Sequence, residues 1–115
     1  MKKLRKKDRV KDSDRFSVMT DDFNHCYICG KFGKTKNVPD FLKLDLHEIF
    51  FAGNREKSKR YGLVVPLCHE GCHQGSEGVH SNRELDLALK RKGQEEFERL
   101  YPGEDFLEVF GRNYL

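Results

Sequence analysis

A chain of 115 residues, 36% charged and 37% hydrophobic, is long enough for one small domain whose core would gain from a staple. No apolar run approaches the roughly 20 residues that span a bilayer, and the charged N-terminus lacks the apolar stretch of a secretory signal. Both points exclude a membrane role and make a cytoplasmic protein the expectation.

The net charge is +3, but eight of the 22 Lys/Arg fall within residues 1–15, against Asp8, Asp12 and Asp14. The remainder is slightly acidic. Residues 1–15 therefore read as a basic arm that finds phosphates by counterion release, or as a solvated terminus, and residues 16–115 as a single domain.

Thr20 or Asp21 is placed to cap a short helical turn before His25. Cys26-Tyr-Ile-Cys29-Gly30 then has the form of a metal knuckle, in which Gly30 supplies the left-handed backbone of the turn. From Phe41 the pattern alternates, with Leu42, Leu44 and Leu46 on one face and Lys43, Asp45 and His47 on the other. Ala52-Gly53-Asn54 breaks this strand, and Arg55–Arg60 suits a helical turn. Tyr61–Leu67 reads as a second strand ending at Pro66, so the two strands predict an antiparallel hairpin.

Cys68 to His73 reads as a helical turn. Ser81 and Glu84 form a capping box for a helix that runs to Pro102-Gly103. Gly93 weakens that helix by about 1 kcal/mol relative to Ala. A last short helix, Glu104–Phe110, stops at Gly111.

Four cysteines in two close pairs, Cys26/Cys29 and Cys68/Cys72, argue for a tetrahedral structural Zn2+ before disulfides. The second pair has a three-residue gap, so His69 could take the place of Cys72. His25 beside a complete cysteine set is set aside as a bystander. A thioredoxin-like redox role is disfavoured, because no βαβ pattern surrounds the CxxC.

His47, Glu48, Asn54, His73 and His80 form a second constellation. They lie within the strings His47-Glu48-Ile49-Phe50, Asn54-Arg55-Glu56-Lys57-Ser58 running into Tyr61-Gly62-Leu63-Val64-Val65, and Gly78-Val79-His80 followed by Asn82-Arg83-Glu84-Leu85. This order resembles the HNH endonucleases, in the subgroup with a zinc knuckle before the first strand. It looks most like the small HNH-type proteins of phages and mobile elements, from Cys26 to the end of the chain.

The resemblance implies an α+β, treble-clef-like ββα-metal core with C-terminal helices. It also implies metal-dependent endonuclease activity on DNA phosphodiester bonds, leaving a 5′-phosphate and a 3′-hydroxyl. The catalytic divalent cation would be Mg2+, Mn2+, Zn2+ or Ni2+. DNA is the implied partner, and a phage or host recombination or packaging protein could direct the nuclease.

Two assignments stay open. Either His47 is a ligand and Glu48 the base, or His47 is the base and the cation is held by His73, His80 and Asp45. Alternation favours the second, since Asp45 and His47 share a face that Glu48 does not. The resemblance makes His73 a ligand; His80, just before the capping box, could point back at the site, and His69, four residues before His73 and so able to chelate one metal with it, competes with His80 for that role. Asn54 serves the site or fixes its own loop. Arg55, Lys57, Lys59, Arg60 and Arg83 are candidates to hold the nucleic-acid backbone. The rival expectation is a non-catalytic zinc module that binds nucleic acid or a partner.

Overall fold

The computed structural model describes residues 15–115; apart from Arg15, the basic arm expected over residues 1–15 lies outside them. Two strands, β1 (Leu44–Glu48) and β2 (Val64–Cys68), pair antiparallel, with Leu44 opposite Cys68 and Glu48 opposite Val64. Their connection holds a 3₁₀ turn, Ala52–Asn54, and the helix α1 (Arg55–Arg60). After β2 a π-helical turn, His69–His73, leads through a loop to α2 (Arg83–Leu100) and α3 (Phe106–Phe110). The chain is therefore an α+β fold built on the expected hairpin.

Pro66 sits in the middle of β2, opposite Leu46, rather than at its end. Its carbonyl faces away from β1 and accepts the Tyr27 N–H at 2.8 Å. A residue's N and O point to the same side of an antiparallel strand, so proline costs no ladder bond there. Buried Ser58 closes the hairpin, accepting from the Phe50 N–H and donating to the Leu63 carbonyl.

The alternation expected of the first strand holds only in part. Leu42 belongs to a 3₁₀ turn, Asp40–Leu42, set by Pro39, and β1 starts two residues later. The face expected to be polar is covered as well, because the π-helical turn folds over it and leaves His47 2% exposed. On the other side Ile49 and Phe50 meet α2 and α3. The Phe50 ring lies 5.3 Å from that of Phe106 and 4.7 Å from that of Phe110, and Phe97 lies 5.3 Å from Phe106. This aromatic cluster is the core.

Gly93 sits where α2 crosses it. A Cβ there would lie 3.1 Å from the Phe50 ring and 3.3 Å from Ile49 Cγ2, so the glycine that weakens the helix also lets it approach.

Two local expectations change. Asn82, not Ser81, caps α2 and accepts the Leu85 N–H at 3.2 Å, while the Ser81 N–H is committed to Gly78. Asn caps as well as Ser, and the Gly78–Ser81 turn decides between them. Thr20 and Asp21 open no helix. Instead Ser17, Thr20 and Asp22 side chains accept nearby backbone N–H groups, a local alternative to helix that these residue types favour.

Candidate metal centres

Cys26 and Cys29 sit on a tight turn closed by Gly30 N–H to Cys26 O at 2.9 Å, with Gly30 at φ +78° as expected. Cys68 ends β2 and caps the π-helical turn, its sulfur accepting the Cys72 N–H at 3.2 Å. The Tyr27–Pro66 bond docks the knuckle on the outer edge of β2. The result is a four-cysteine cluster whose sulfurs all lie within 4.8 Å of one another, with Cys29 and Cys68 at 3.7 Å. Cys72 belongs to this set, while His69 turns away to Asp45.

Electrostatics suit a cation. Burial pushes Cys26 up, but N–H donors from Cys29, Cys68 and Ile28 outweigh it and hold the thiol down at about 7. Burial and the neighbouring sulfurs push Cys72 up instead. Four crowded thiols cannot all ionise alone; a bound metal ion would let them.

The second cluster is built from three segments. β1 supplies Asp45 and His47 on one face, and the π-helical turn supplies His69 and His73. The third segment, the loop before α2, is tied down by buried Val79, whose N–H reaches Cys72 O at 2.7 Å, and it delivers His80. One ring nitrogen from each of His47, His73 and His80 lies within 4.8 Å of the others. His80 Nε2 is 3.1 Å from His73 Nε2, and the His47 ring centroid is 5.2 Å from both rings. In an overlapping set, ligand atoms of Asp45, His69 and His73 also lie within 4.8 Å of one another.

His47 Nε2 is buried without a hydrogen-bond partner. Such an orphan costs about 1–3 kcal/mol, which a bound cation would offset. Burial, then the charges of His73, His80 and Lys90, pushes His47 down to about 3, so its imidazole is neutral at physiological pH and able to ligate. His80 is lowered too, by burial and His73.

Asp45 Oδ2 lies 2.6 Å from His69 Nδ1 and 2.7 Å from His73 Nδ1. Burial pushes its carboxyl up, but these two histidines outweigh that and hold it below its ordinary range. An ionised carboxylate only accepts, so His73 carries its proton on Nδ1 and turns its Nε2 lone pair toward the cluster.

The remaining predicted residues lie elsewhere. Glu48, next to His47 in β1, points to the opposite face and pairs with Arg15 and Arg55, each at 3.7 Å. Asn54 Nδ2 donates to Phe110 O at 3.1 Å, so Asn54 fixes α3 and does not join the histidines. Lys57 is corrected outright as a nucleic-acid contact. It is 4% exposed, and its ammonium donates to Val109 O at 2.9 Å. Both side chains satisfy carbonyls at the C-terminal end of α3 that no helical N–H reaches. Lys59 is buried beside Glu56. Arg55, Arg60 and Arg83 are exposed and outside the cavity beside the histidines.

Sequence reasoning missed Lys90. It lies 4.3 Å from the centre of the Phe51 ring, which packs on His47 and His80, and it pairs with Asp86 at 2.8 Å. The Asp86/Lys90 spacing of four on a helix was the available signal.

No family model, curated protein or solved structure matches this chain. Among the described residues no helix is long and apolar enough to cross a membrane.

Proposed function

We propose that the chain is a metal-dependent endonuclease of the HNH, ββα-metal type, hydrolysing DNA phosphodiester bonds in a phage or mobile-element setting. In this reading the four cysteines hold a structural Zn2+ in a treble-clef-like knuckle, since four thiolates close its shell. The observation that carries the reading is the unpartnered, buried His47 Nε2 facing His73 and His80 beside a cysteine cluster already complete without them. A binding module has no use for that second donor set.

His47, His73 and His80 would hold a catalytic cation. A divalent ion there supplies Lewis-acid polarisation of the phosphate and a water of lowered pKa. At about 3, His47 is too weak a base to take the water's proton near neutral pH, which favours its ligand role over its role as base. His69, whose Nδ1–H is donated to Asp45, keeps an Nε2 lone pair, lines the adjoining cavity and would be the group to take that proton. Lys90 adds fixed positive charge beside His47 and His80.

The test is plasmid cleavage by protein treated with EDTA and resupplied with Mg2+ or Mn2+, comparing wild type with His47→Ala. Cutting restored by metal in wild type, and absent from a folded variant that keeps its zinc, is the expected result. A wild type that binds one zinc and DNA but never cuts returns the chain to the binding-module reading.

A further inference from the structure

The cations expected to meet nucleic acid are buried, paired or outside the cavity, yet a basic groove runs up to the histidines from the other side. A cavity of about 410 Å3 is lined by Leu44, Asp45 and Leu46 of β1, by Arg15, Lys36 and Lys43, and by His69 and His73. A second cavity of about 310 Å3 shares Thr35, Lys36 and Lys43 with the first, so the two adjoin, and we treat them together as one groove. Its wall is built rather than incidental: Lys34 N–H bonds Leu42 O and Leu44 N–H bonds Lys34 O, both at 2.9 Å, pinning the segment that carries Lys36 against β1.

Three cations, Arg15, Lys36 and Lys43, line the groove against two carboxylates, Asp40 and Asp45, and Arg15 is shared with Glu48. Lys36 makes no ion pair among the described residues, and Lys43 reaches only 3.9 Å from Asp45, whose carboxylate already serves two histidines. Arg15, on the groove, is also where the basic arm joins the domain. Seven further Lys/Arg, against three Asp, precede it in sequence. Like charge argues against the arm as the occupant.

We infer that this groove binds the phosphate backbone of a nucleic-acid strand and leads it to the His69/His73 wall. Two adjoining cavities that share Lys36 and Lys43, with Arg15 on the first, offer more cations than a single phosphate needs, and Lys and Arg suit phosphates rather than base edges. The inference rests on the nuclease reading only for what happens at the groove's end.

The experiment measures anisotropy of a fluorescein-labelled oligonucleotide, single-stranded and duplex, across a salt series. It compares wild type, Lys36→Ala/Lys43→Ala, and a charge-matched control, Arg91→Ala/Lys92→Ala, on the exposed face of α2. Losing two phosphate contacts lowers the slope of log K against log salt by about 1.8 on duplex or about 1.4 on a single strand, and the control leaves it unchanged. Equal slope changes in both variants overturn the inference. So does a wild type that poly-glutamate occupies as tightly as the oligonucleotide.

Hydrolysis of bis(p-nitrophenyl) phosphate, too small to need the groove, separates the two readings. If the groove variant keeps that hydrolysis while losing oligonucleotide affinity, the inference stands. If wild type binds through the groove but hydrolyses neither substrate, the nuclease reading alone falls. If wild type hydrolyses both and the groove variant binds as wild type does, the groove inference alone falls.

Discussion

Asp45 Oδ2 lies 2.7 Å from Nδ1 of His73, and that contact fixes which nitrogen of the ring faces His47 and His80. The same oxygen holds His69, so one carboxylate from β1 orients both imidazoles of the π-helical turn. Outer partners of this kind set the tautomer and basicity of a ligand. Replacing Asp45 by Asn removes the charge while keeping the size. Affinity of the histidine cluster for Mn2+ or Zn2+ is expected to fall about 10–100-fold, read by isothermal titration, with the metal on the cysteines unchanged. Unchanged affinity in Asp45→Asn would mean the carboxylate orients nothing that matters to the ion.

The depressed His47 makes stability depend on pH in a stated direction. An unfolded histidine titrates near 6.5, whereas burial and its charged neighbours hold folded His47 down at about 3. Between those values the unfolded chain binds a proton that the folded chain refuses. The contribution is therefore fully present above pH 6.5 and lost progressively as pH falls toward 3, by roughly 3–5 kcal/mol over the whole window. Urea midpoints of the histidine-metal-free protein should drop between pH 7 and 5, and His47→Gln should flatten that drop. His80, also lowered, keeps part of the slope. A wild-type midpoint independent of pH over this range would contradict the burial of a neutral His47.

Lys57 separates a structural role from a nucleic-acid one. Its ammonium caps Val109 O from a buried position, so Lys57→Met keeps the stem but orphans the carbonyl. The variant should lose about 1–3 kcal/mol of stability by urea denaturation and keep wild-type oligonucleotide affinity and salt slope. A reduced slope with unchanged stability would restore the expectation drawn from its sequence.

What was legible follows from range. The Cys pairs, the hairpin and α3 are written in local spacing, and local hydrogen bonding and turn geometry realise them: Gly30 turns the knuckle, and Gly111 ends α3. His73 and His80 were expected beside His47 from the resemblance of the motif order and from the helix start after His80, and the three ring nitrogens do cluster. At the α2 cap the difference is one residue, because Ser81 and Asn82 are chemically equivalent candidates. Asn54 and Lys57 were illegible for a different reason. Their partners are carbonyls of Phe110 and Val109, more than 50 residues on, and no local pattern reports a long-range cap. Lys36 likewise comes beside Lys43 through the backbone bonds that pin Lys34 to Leu42 and Leu44, and Arg15 joins them from a distant part of the chain.

Gly93 offers a test of the packing that supports the hairpin. In an exposed helix Gly→Ala gains about 1 kcal/mol from backbone entropy alone. Here the added methyl meets the Phe50 ring at 3.1 Å and Ile49 Cγ2 at 3.3 Å, too close without movement. Phe50 cannot give way freely, since it is packed at 4.7 Å against Phe110, 5.3 Å against Phe106 and 5.5 Å against Tyr114, centre to centre. Overpacking costs typically about 1–3 kcal/mol, which exceeds the helical gain. Gly93→Ala should therefore lower the thermal midpoint despite its better helix propensity, and a raised midpoint would show that the α2 crossing has slack. Because Ile49 and Phe50 directly follow β1, the strain should also pass to His47, read as weaker metal binding by the histidines in the same variant.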